Sequence, residues 1–218
     1  MTTVAEMTIK ALADFGVTHA WGVVGDALNP LTEAIRQQDR MEWVGVRHEE
    51  VGAFAAGAQA QLTGQLGLCM GTVGPGSIHL LNGLYDAKKS RAPVLAICGQ
   101  VPTSEIGSEF FQEVNNDVLF ADVAVFARSV TSANQMPHVL EQAVNAAIAQ
   151  RGVAVLTIPG DVGACDLLDD VPIPRFAPVA APAPAPQSQV EAAAQALNDA
   201  GKVTLLVGMG ARGSERGP

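Results

Sequence analysis

The chain has 218 residues, of which 48% are hydrophobic and 16% charged, as in globular proteins with a large buried core. A net charge of −9 and a pI near 4.8 argue against a nucleic-acid-binding surface, which needs clustered lysine and arginine. No apolar run is long enough to span a membrane, and the N-terminus has no signal-peptide core. We therefore expect a cytoplasmic protein without a transmembrane segment.

The three cysteines, Cys69, Cys98 and Cys165, are far apart and odd in number. Their spacing matches neither a disulfide framework nor a metal site. We therefore predict buried structural thiols in a reducing compartment.

Short apolar runs alternate with helical patterns along the first 160 residues. The first helical pattern ends at Gly16, the second starts with Asn29 as N-cap before Pro30, and a later one closes at Gly152. The alternation predicts an α/β fold with a six-stranded parallel sheet and helices on both faces. The predicted strands, all expected to be buried on both faces, are residues 19–25, 42–46, 66–72, 93–100, 125–130 and 152–160.

Ligands of parallel sheets bind beyond the carboxyl ends of the strands. The loops at those ends are therefore the first place to look for function. They are residues 25–29, 47–50, 72–79 and 100–113.

The amino-acid composition changes after residue 170. Residues 171–187 are rich in proline and alanine, which predicts an extended linker. Ser188 then caps a predicted helix, and a predicted strand from residue 202 enters a glycine turn, so that residues 188–218 open a second α/β domain that is not completed. Because the chain stops there, we expect a truncated sequence.

The end of the chain contains the G-x-G-x-x-G pattern of dinucleotide-binding turns, formed by Gly208, Gly210 and Gly213. Too few residues follow to form the helix that this motif requires. The sequence therefore favours an ordinary turn at this position.

Residues 71–87 predict a strand that runs through a Gly-Pro-Gly turn into a helix. Gly74 and Gly76 permit backbone shapes closed to other residues, and Pro75 stiffens the turn, so that backbone can approach a ligand closely. The pattern alone leaves open a ligand-binding turn and a plain connection. His79 falls in the first turn of the helix, where a lone histidine is most often structural.

Glu49 and Glu50 follow a predicted strand and begin an alanine-rich helix. The helix dipole stabilises acids in a first turn by about 0.3–1 kcal/mol, which would explain both. Neighbouring side chains on a helix point about 100° apart, however, so the two acids must face different surroundings. Glu49 shares its stripe with Ala53, Ala56 and Ala60.

Five segments, in order and at consistent spacings, resemble the N-terminal pyrimidine-binding domain of thiamine-diphosphate enzymes. They are WGVVGDALNPL, RHEEVGAFAAGAQAQLTG, GTVGPGSIHLLNGLYDAKKSRAPVLAICGQ, FFQEV and GVAVLTIPGDV. The branch is the one that contains pyruvate oxidase, pyruvate dehydrogenase (quinone) and acetolactate synthase. The resemblance implies a pyrimidine-binding domain at residues 1–170, a linker at 171–187, and the start of a central FAD-type domain at 188–218.

The resemblance also implies roles for individual residues. Glu49 matches the catalytic glutamate that hydrogen-bonds N1′ of the aminopyrimidine and so promotes removal of the thiazolium C2 proton. Phe111 and Gln112 match a pair at the substrate end of the site. No metal ligand is implied in this chain. The cofactor-binding positions are Gly25, Glu49, Gly74, Pro75, Gly76 and His79.

His79 favours a pyruvate-oxidising flavoenzyme, because acetolactate synthases usually have asparagine at the matching position. An acetolactate-synthase-type or other 2-keto-acid decarboxylase or ligase stays open, as does a non-catalytic binding or assembly module. The exact 2-keto acid and the electron acceptor, oxygen or quinone, are not readable from these residues.

The family's diphosphate- and Mg²⁺-binding Gly-Asp-Gly…Asn motif does not occur in the 218 residues, nor does most of an FAD domain. We therefore expect Mg²⁺ and FAD only in a complete family member. The resemblance implies that this chain supplies half of a thiamine diphosphate site, binds the cofactor weakly alone and is inactive alone. It also implies a homo-oligomer, a dimer or tetramer, formed through the pyrimidine-binding domain.

Overall fold

The computed structural model describes residues 2–168, 172–177 and 184–211. Contacts divide the chain into two units, residues 1–178 and 179–218. The first unit contains six strands and eight α-helices among its described residues, and the second contains one α-helix.

The elements of the first unit follow one another in strict α/β alternation for most of its length. The strands are β1 (His19–Gly22), β2 (Glu42–Gly45), β3 (Gly67–Gly71), β4 (Val94–Gln100), β5 (Ala124–Ser129) and β6 (Val153–Pro159). The helices are α1 (Val4–Asp14), α2 (Asn29–Arg36), α3 (Glu49–Thr63), α4 (Pro75–His79), α5 (Leu81–Lys89), α6 (Asn116–Leu119), α7 (Met136–Gln150) and α8 (Gly160–Ala164).

The six strands form one parallel sheet in the order β2-β1-β3-β4-β6-β5. The prediction of a six-stranded parallel sheet is confirmed. The chain passes from β1 outward to β2 and then back across β1 to β3. The carboxyl ends of β1 and β3 therefore flank the position where the winding direction reverses, which is where α/β sheets form a binding crevice.

Two hydrophobic clusters cover the two faces of the sheet, as predicted. One contains buried side chains of α1, α2 and α7 against alternate strand residues such as Leu95 and Ile97. The other contains buried side chains of α3 and α5 against the intervening residues, such as Ala96 and Cys98. Period-two alternation along β4 thus sends successive apolar side chains into opposite clusters.

The expectation that all six strands are buried on both faces is confirmed for β3, β4 and β6, in which every residue is buried. It is wrong for β1, in which half-buried and buried residues alternate, and for the edge strands β2 and β5, which have exposed and half-buried residues throughout. For β2 and β5 the reason is the strand order, since each has a neighbouring strand on one side only. Edge position is a property of topology that a local apolar run does not encode.

Three predicted caps shift by one residue or more. Leu28, not Asn29, is the N-cap of α2, because a 3₁₀ turn at Asp26–Leu28 leads directly into the helix. Helix α7 closes on Arg151, which takes the left-handed conformation one residue before the predicted Gly152. Gly16, with φ of 103°, follows the C-cap Phe15 of α1. Within the described ranges, no helix combines the length and apolarity needed to cross a membrane.

The second unit has one helix, α9 (Gln187–Asp199), with Pro186 as N-cap. Ser188 therefore lies inside the helix rather than capping it. The predicted strand from residue 202 does not form in the described part of the chain, where residues 203–207 are exposed and no described strand pairs with them. Gly213 of the predicted glycine turn lies outside the described residues, as does part of the predicted linker.

Two of the three cysteines meet the expectation of buried thiols. Cys69 and Cys98 lie in the central strands, and burial raises the pKa of the Cys98 thiol to about 12. Cys165 is exposed, which corrects the prediction at that position. It follows the short helix α8, and its thiol contacts the Asp161 carbonyl.

Helices α3 and α5 pack so closely that a methyl group at Gly83 would overlap both Ala53 Cβ and the Phe54 amide at 2.6 Å. We expect Gly83→Ala to lower the free energy of unfolding by about 1–3 kcal/mol, because backbone must move to admit the methyl group. Urea denaturation would measure it.

Gly57 is the matched control on the facing helix. A methyl group there would meet Ala87 Cβ at 3.4 Å, an ordinary contact. Gly57→Ala should be neutral or stabilise the chain by up to about 1 kcal/mol through helix propensity. Equal destabilisation by both substitutions would refute the close packing described here.

Candidate active site

Four candidate loops lie at the carboxyl edge of the sheet, and three of them converge where the winding reverses. The three converging loops follow β1, β2 and β3. They carry Gly25, Glu49 and the Gly-Pro-Gly turn, respectively. The parallel register of β1 with β2 and β3 places these three ends side by side. The predicted loops therefore meet in one crevice.

Glu49 is the first residue of α3 and is only 7% exposed. It continues a buried stripe formed by Ala53, Ala56 and Ala60, whereas Glu50 is half-exposed. The prediction that the two acids face different surroundings is confirmed. Buried carboxyl groups need partners, so the question is what Glu49 contacts.

His79 provides one partner. Its Nδ1 lies 3.0 Å from Glu49 Oε2, and its side chain is 42% exposed. A carboxylate oxygen accepts, so this contact is a hydrogen bond in the tautomer that places the imidazole proton on Nδ1. The His48 ring stacks on the His79 ring with centroids 4.4 Å apart and planes 25° from parallel. Because His48 Nδ1 also accepts from the Glu50 amide as the N-cap of α3, the stack ties α4 to the start of α3.

The other oxygen of Glu49 points at the glycine turn. A Cβ atom added at Gly76 would lie 3.2 Å from Glu49 Oε1. Gly74 has φ of 65° and caps α4, and the Ser77 hydroxyl donates to the Thr72 carbonyl at 2.8 Å, which fixes the turn. The absent side chain at Gly76 leaves Oε1 accessible, while Pro75 is exposed at the mouth of the turn.

Gly25 lies against the same turn. A Cβ atom added there would come within 2.4 Å of Thr72 Cβ and Oγ1, so no other residue fits without movement. Thr72 Oγ1 is buried and has no hydrogen-bond partner among the residues that the structure describes. A buried hydroxyl without a partner is uncommon and is consistent with a ligand atom that completes it.

Gln112 reaches the turn from the loop after β4. Its carbonyl would be 2.8 Å from a Cβ atom at Gly74. Gln112 also lines a cavity of about 320 Å³ together with Val73, Gln100, Phe110 and Asp26. Phe111, its predicted companion, is 84% exposed, and its ring packs on that of Phe110 with centroids 4.9 Å apart. The structure therefore brings Gln112 to the turn, while Phe110 rather than Phe111 lines the cavity.

These features together test whether an aminopyrimidine fits. To bind a flat heteroaromatic ring with donor and acceptor nitrogens, the crevice needs a carboxyl group with an unbonded oxygen. It also needs backbone that can lie against the ring, and positions without side chains that leave room for it. Glu49 Oε1, the unpaired Thr72 hydroxyl and the side-chain-free positions at Gly25 and Gly76 supply these. The residues present fit such a ring.

The structure adds three residues that no pattern singled out. In the sequence, His48 is simply the residue before Glu49, and Thr72 is the last residue of the predicted strand 66–72. Asp161, in α8, accepts from the Thr103 amide at 3.1 Å and from the Thr103 hydroxyl at 2.5 Å. The Thr103–Asp161 contact holds the start of the loop that carries Gln112.

The Thr103–Asp161 contact should depend on pH. Burial alone would raise the pKa of Asp161, but hydrogen bonds from Thr103 and from nearby amides outweigh it and place the pKa below the ordinary 3.8. The carboxylate therefore stabilises the loop above about pH 4, and this stabilisation is lost as the pH falls through the lowered pKa.

Asp161→Ala should raise the rate of chymotrypsin cleavage at Phe110 and Phe111 by about threefold or more at pH 7, because charged hydrogen bonds hold the loop. Exposed Asp166, on the same segment, is the control, and Asp166→Ala should leave the cleavage rate unchanged. Unchanged cleavage in Asp161→Ala would show that the contact does not order the loop.

Comparison with known proteins identifies the family. The family model "Thiamine pyrophosphate enzyme, N-terminal TPP binding domain" matches residues 2–119. An uncharacterized 42.6 kDa protein of Pseudomonas amyloderamosa is 46% identical over 98% of the chain and 54% of its own length. Pyruvate oxidase of Lactiplantibacillus plantarum is 45% identical over 71% of the chain and 26% of its length. The acetolactate synthase large subunit of Corynebacterium glutamicum is 31% identical over 95% of the chain and 34% of its length.

The chain thus spans about half of the Pseudomonas relative, about a quarter of the pyruvate oxidase and about a third of the acetolactate synthase subunit. The matched region contains the glycine turn, the buried glutamate and the loop that carries Gln112. With the parallel sheet and the convergent loops, the match shows that this chain belongs to the thiamine pyrophosphate enzymes, as an N-terminal TPP-binding domain.

Proposed function

We propose that this domain holds the aminopyrimidine of thiamine diphosphate in the crevice between β1 and β3, in an enzyme that oxidatively decarboxylates pyruvate. The supporting observation is that the two carboxyl oxygens of Glu49 have different surroundings. Oε2 contacts His79, whereas Oε1 faces Gly76, which has no side chain. A carboxyl group with one fixed and one available oxygen can share a proton with a ring nitrogen.

Each residue of the crevice has a proposed task. Glu49 holds the shared proton at Oε1, and His79 fixes the orientation of the carboxyl group through Oε2. Gly25, Gly74, Pro75 and Gly76 allow backbone to lie against the ring, and Gln112 borders the substrate side. When bound, thiamine diphosphate supplies the nucleophilic carbon and the electron sink for decarboxylation. Burial of Glu49 keeps water from competing for its proton.

Pyruvate is favoured as substrate by His79 and by the relative named pyruvate oxidase, which is 45% identical over 155 residues. Acetolactate synthase chemistry is the second candidate, supported by a relative of that name that is 31% identical over 213 residues. The two predict different products. Pyruvate consumption with reduction of an electron acceptor supports the first, whereas acetolactate formation without net reduction supports the second and overturns the first.

We propose that the diphosphate, Mg²⁺ and FAD are bound outside these 218 residues, because no Gly-Asp-Gly…Asn motif occurs in them. The charged anchor of the cofactor is then absent from this crevice. Calorimetry of the chain alone with thiamine diphosphate and Mg²⁺ should give a dissociation constant near 1 mM, about −4 kcal/mol. Micromolar binding would contradict the half-site, and a non-catalytic module would bind no better in the assembled protein.

We also propose a homo-oligomer. Val51 and Phe54 of α3 and Ile78 of α4 are 39–54% exposed although they are apolar and lie beside the crevice. Apolar side chains grouped beside a binding crevice are typical of subunit contacts. Light scattering of a strictly monomeric, soluble species would count against this assembly.

A further inference from the structure

His48, Glu49 and His79 form a cluster with metal-ligating chemistry. Each offers one ligand atom, and these three atoms lie within 4.8 Å of one another. Two imidazoles and one carboxylate are a donor set of catalytic zinc sites and of non-haem iron sites. The sequence resemblance implied no metal ligand in this chain.

The spacing suits an ion of zinc-like size. Bonds from Zn²⁺ to nitrogen and oxygen are about 2.0–2.2 Å, which puts neighbouring ligand atoms roughly 3–3.5 Å apart. His79 Nδ1 and Glu49 Oε2 are already 3.0 Å apart. The ligand atom of His48 lies within 4.8 Å of the other two, so this side chain must move closer for all three to bind one ion.

The three side chains are also held in place before any ion arrives. Glu49 is fixed by its buried stripe on α3, His48 by its cap contact with the Glu50 amide, and His79 by Glu49 and the stacked ring. The rings of His48 and His79 are exposed, so that an ion can enter from solvent. Preorganised ligands with an open side are the arrangement of a site that keeps a position for water.

We propose that His48, Glu49 and His79 bind one divalent transition-metal ion, of the class of Zn²⁺, Co²⁺ or Ni²⁺. Two imidazole donors select these borderline ions over Mg²⁺ and Ca²⁺, which prefer all-oxygen sites. An ion at His79 Nδ1 would replace the hydrogen bond to Glu49, and the imidazole proton would then be carried on Nε2. This metal site shares Glu49 and His79 with the proposed cofactor crevice, but metal binding itself requires no thiamine chemistry.

Titration of the chain with Co²⁺, followed by visible absorption, and with Zn²⁺, followed by calorimetry, tests the proposal. We expect one ion per chain. Loss of an outer-shell partner alone weakens metal sites 10–100-fold, so His48→Gln and His79→Gln should each weaken binding at least about tenfold. Circular dichroism would verify that both variants keep the fold.

Two controls address other ligands. His138 is an exposed histidine on α7 that contacts Gln142, and Cys165 is the exposed thiol. His138→Gln and Cys165→Ser should bind Co²⁺ and Zn²⁺ as the unchanged chain does. Metal binding that survives both His48→Gln and His79→Gln, or that disappears with Cys165→Ser, would overturn the site. Either result would leave the turnover test of Glu49 unaffected, because that test measures pyruvate consumption.

Discussion

Replacing Glu49 by glutamine should lower pyruvate turnover by an enzyme that contains this domain by about 10²–10⁴-fold, the range typical for loss of a positioned proton-transfer group. Glutamine keeps the size of the side chain and an oxygen that can accept from His79 Nδ1. It cannot share a proton at the second position, which becomes an amide. Steady-state rates with saturating thiamine diphosphate and Mg²⁺ would measure the loss.

Glu50→Gln is the matched control, because Glu50 occupies the same helical turn and is half-exposed. Its Oε2 lies 3.4 Å from Asn82 Nδ2, a contact that glutamine can keep. Turnover should stay within about threefold of the unchanged enzyme, since surface substitutions away from a site have small effects. Near-normal turnover in Glu49→Gln, with an unchanged melting curve, would refute the role of Glu49.

The sheet was predictable because its signals are local. Each central strand is a short, continuous apolar run bounded by turn residues, and β3, β4 and β6 are buried as such runs predict. The exposed faces of β2 and β5 were not predictable in the same way. Which strand lies at an edge depends on long-range pairing, and a local pattern contains no such information.

The predicted helix caps were wrong for a related reason. Asn29 and Pro30 form a strong helix-start signal, yet the preceding Asp26–Leu28 turn already provides the entry to α2, and Leu28 becomes the cap. Arg151 is the left-handed C-cap of α7, one residue before Gly152, where the sequence predicts that the helix closes. A left-handed residue that is not glycine is stabilised by its surroundings rather than by its own preference.

The second unit shows the limit of strand propensity. Residues 203–207 are apolar and β-branched in part, yet they are exposed and unpaired. A strand is stable only when a neighbouring strand satisfies its backbone groups. The strand propensity of these residues predicted a strand, but no pairing partner is present among the described residues of this unit, and no strand forms.

At the candidate site, the family resemblance implied roles for Glu49 and the glycine turn, and the structure places the two next to each other. What the sequence could not show was the contact of His79 with Oε2, the stacking of His48, or the unpaired hydroxyl of Thr72. These depend on how α3 and α4 meet across the sheet edge. Thr72 had one available signal, its position at the end of a predicted strand, two residues before Gly74 of the glycine turn.

Gly74→Ala should lower the free energy of unfolding by about 2–4 kcal/mol, the second large effect expected in this domain. Two costs add. A residue with a side chain is strained at φ of 65° with ψ of −116°, which costs about 1–3 kcal/mol. The new methyl group would also stand 2.8 Å from the Gln112 carbonyl, an overlap that costs about 1–3 kcal/mol to relieve. Urea denaturation midpoints would measure the total.

Gly107→Ala separates the two costs, because Gly107 also has a positive φ, 86°, but a methyl group there meets nothing within 4 Å. It should therefore show backbone strain alone, about 1 kcal/mol. The excess cost at Gly74 measures the close approach of the Gln112 loop to the turn. Equal losses at both positions would mean that the loop moves aside freely, and Gln112 would then have no fixed place at the crevice.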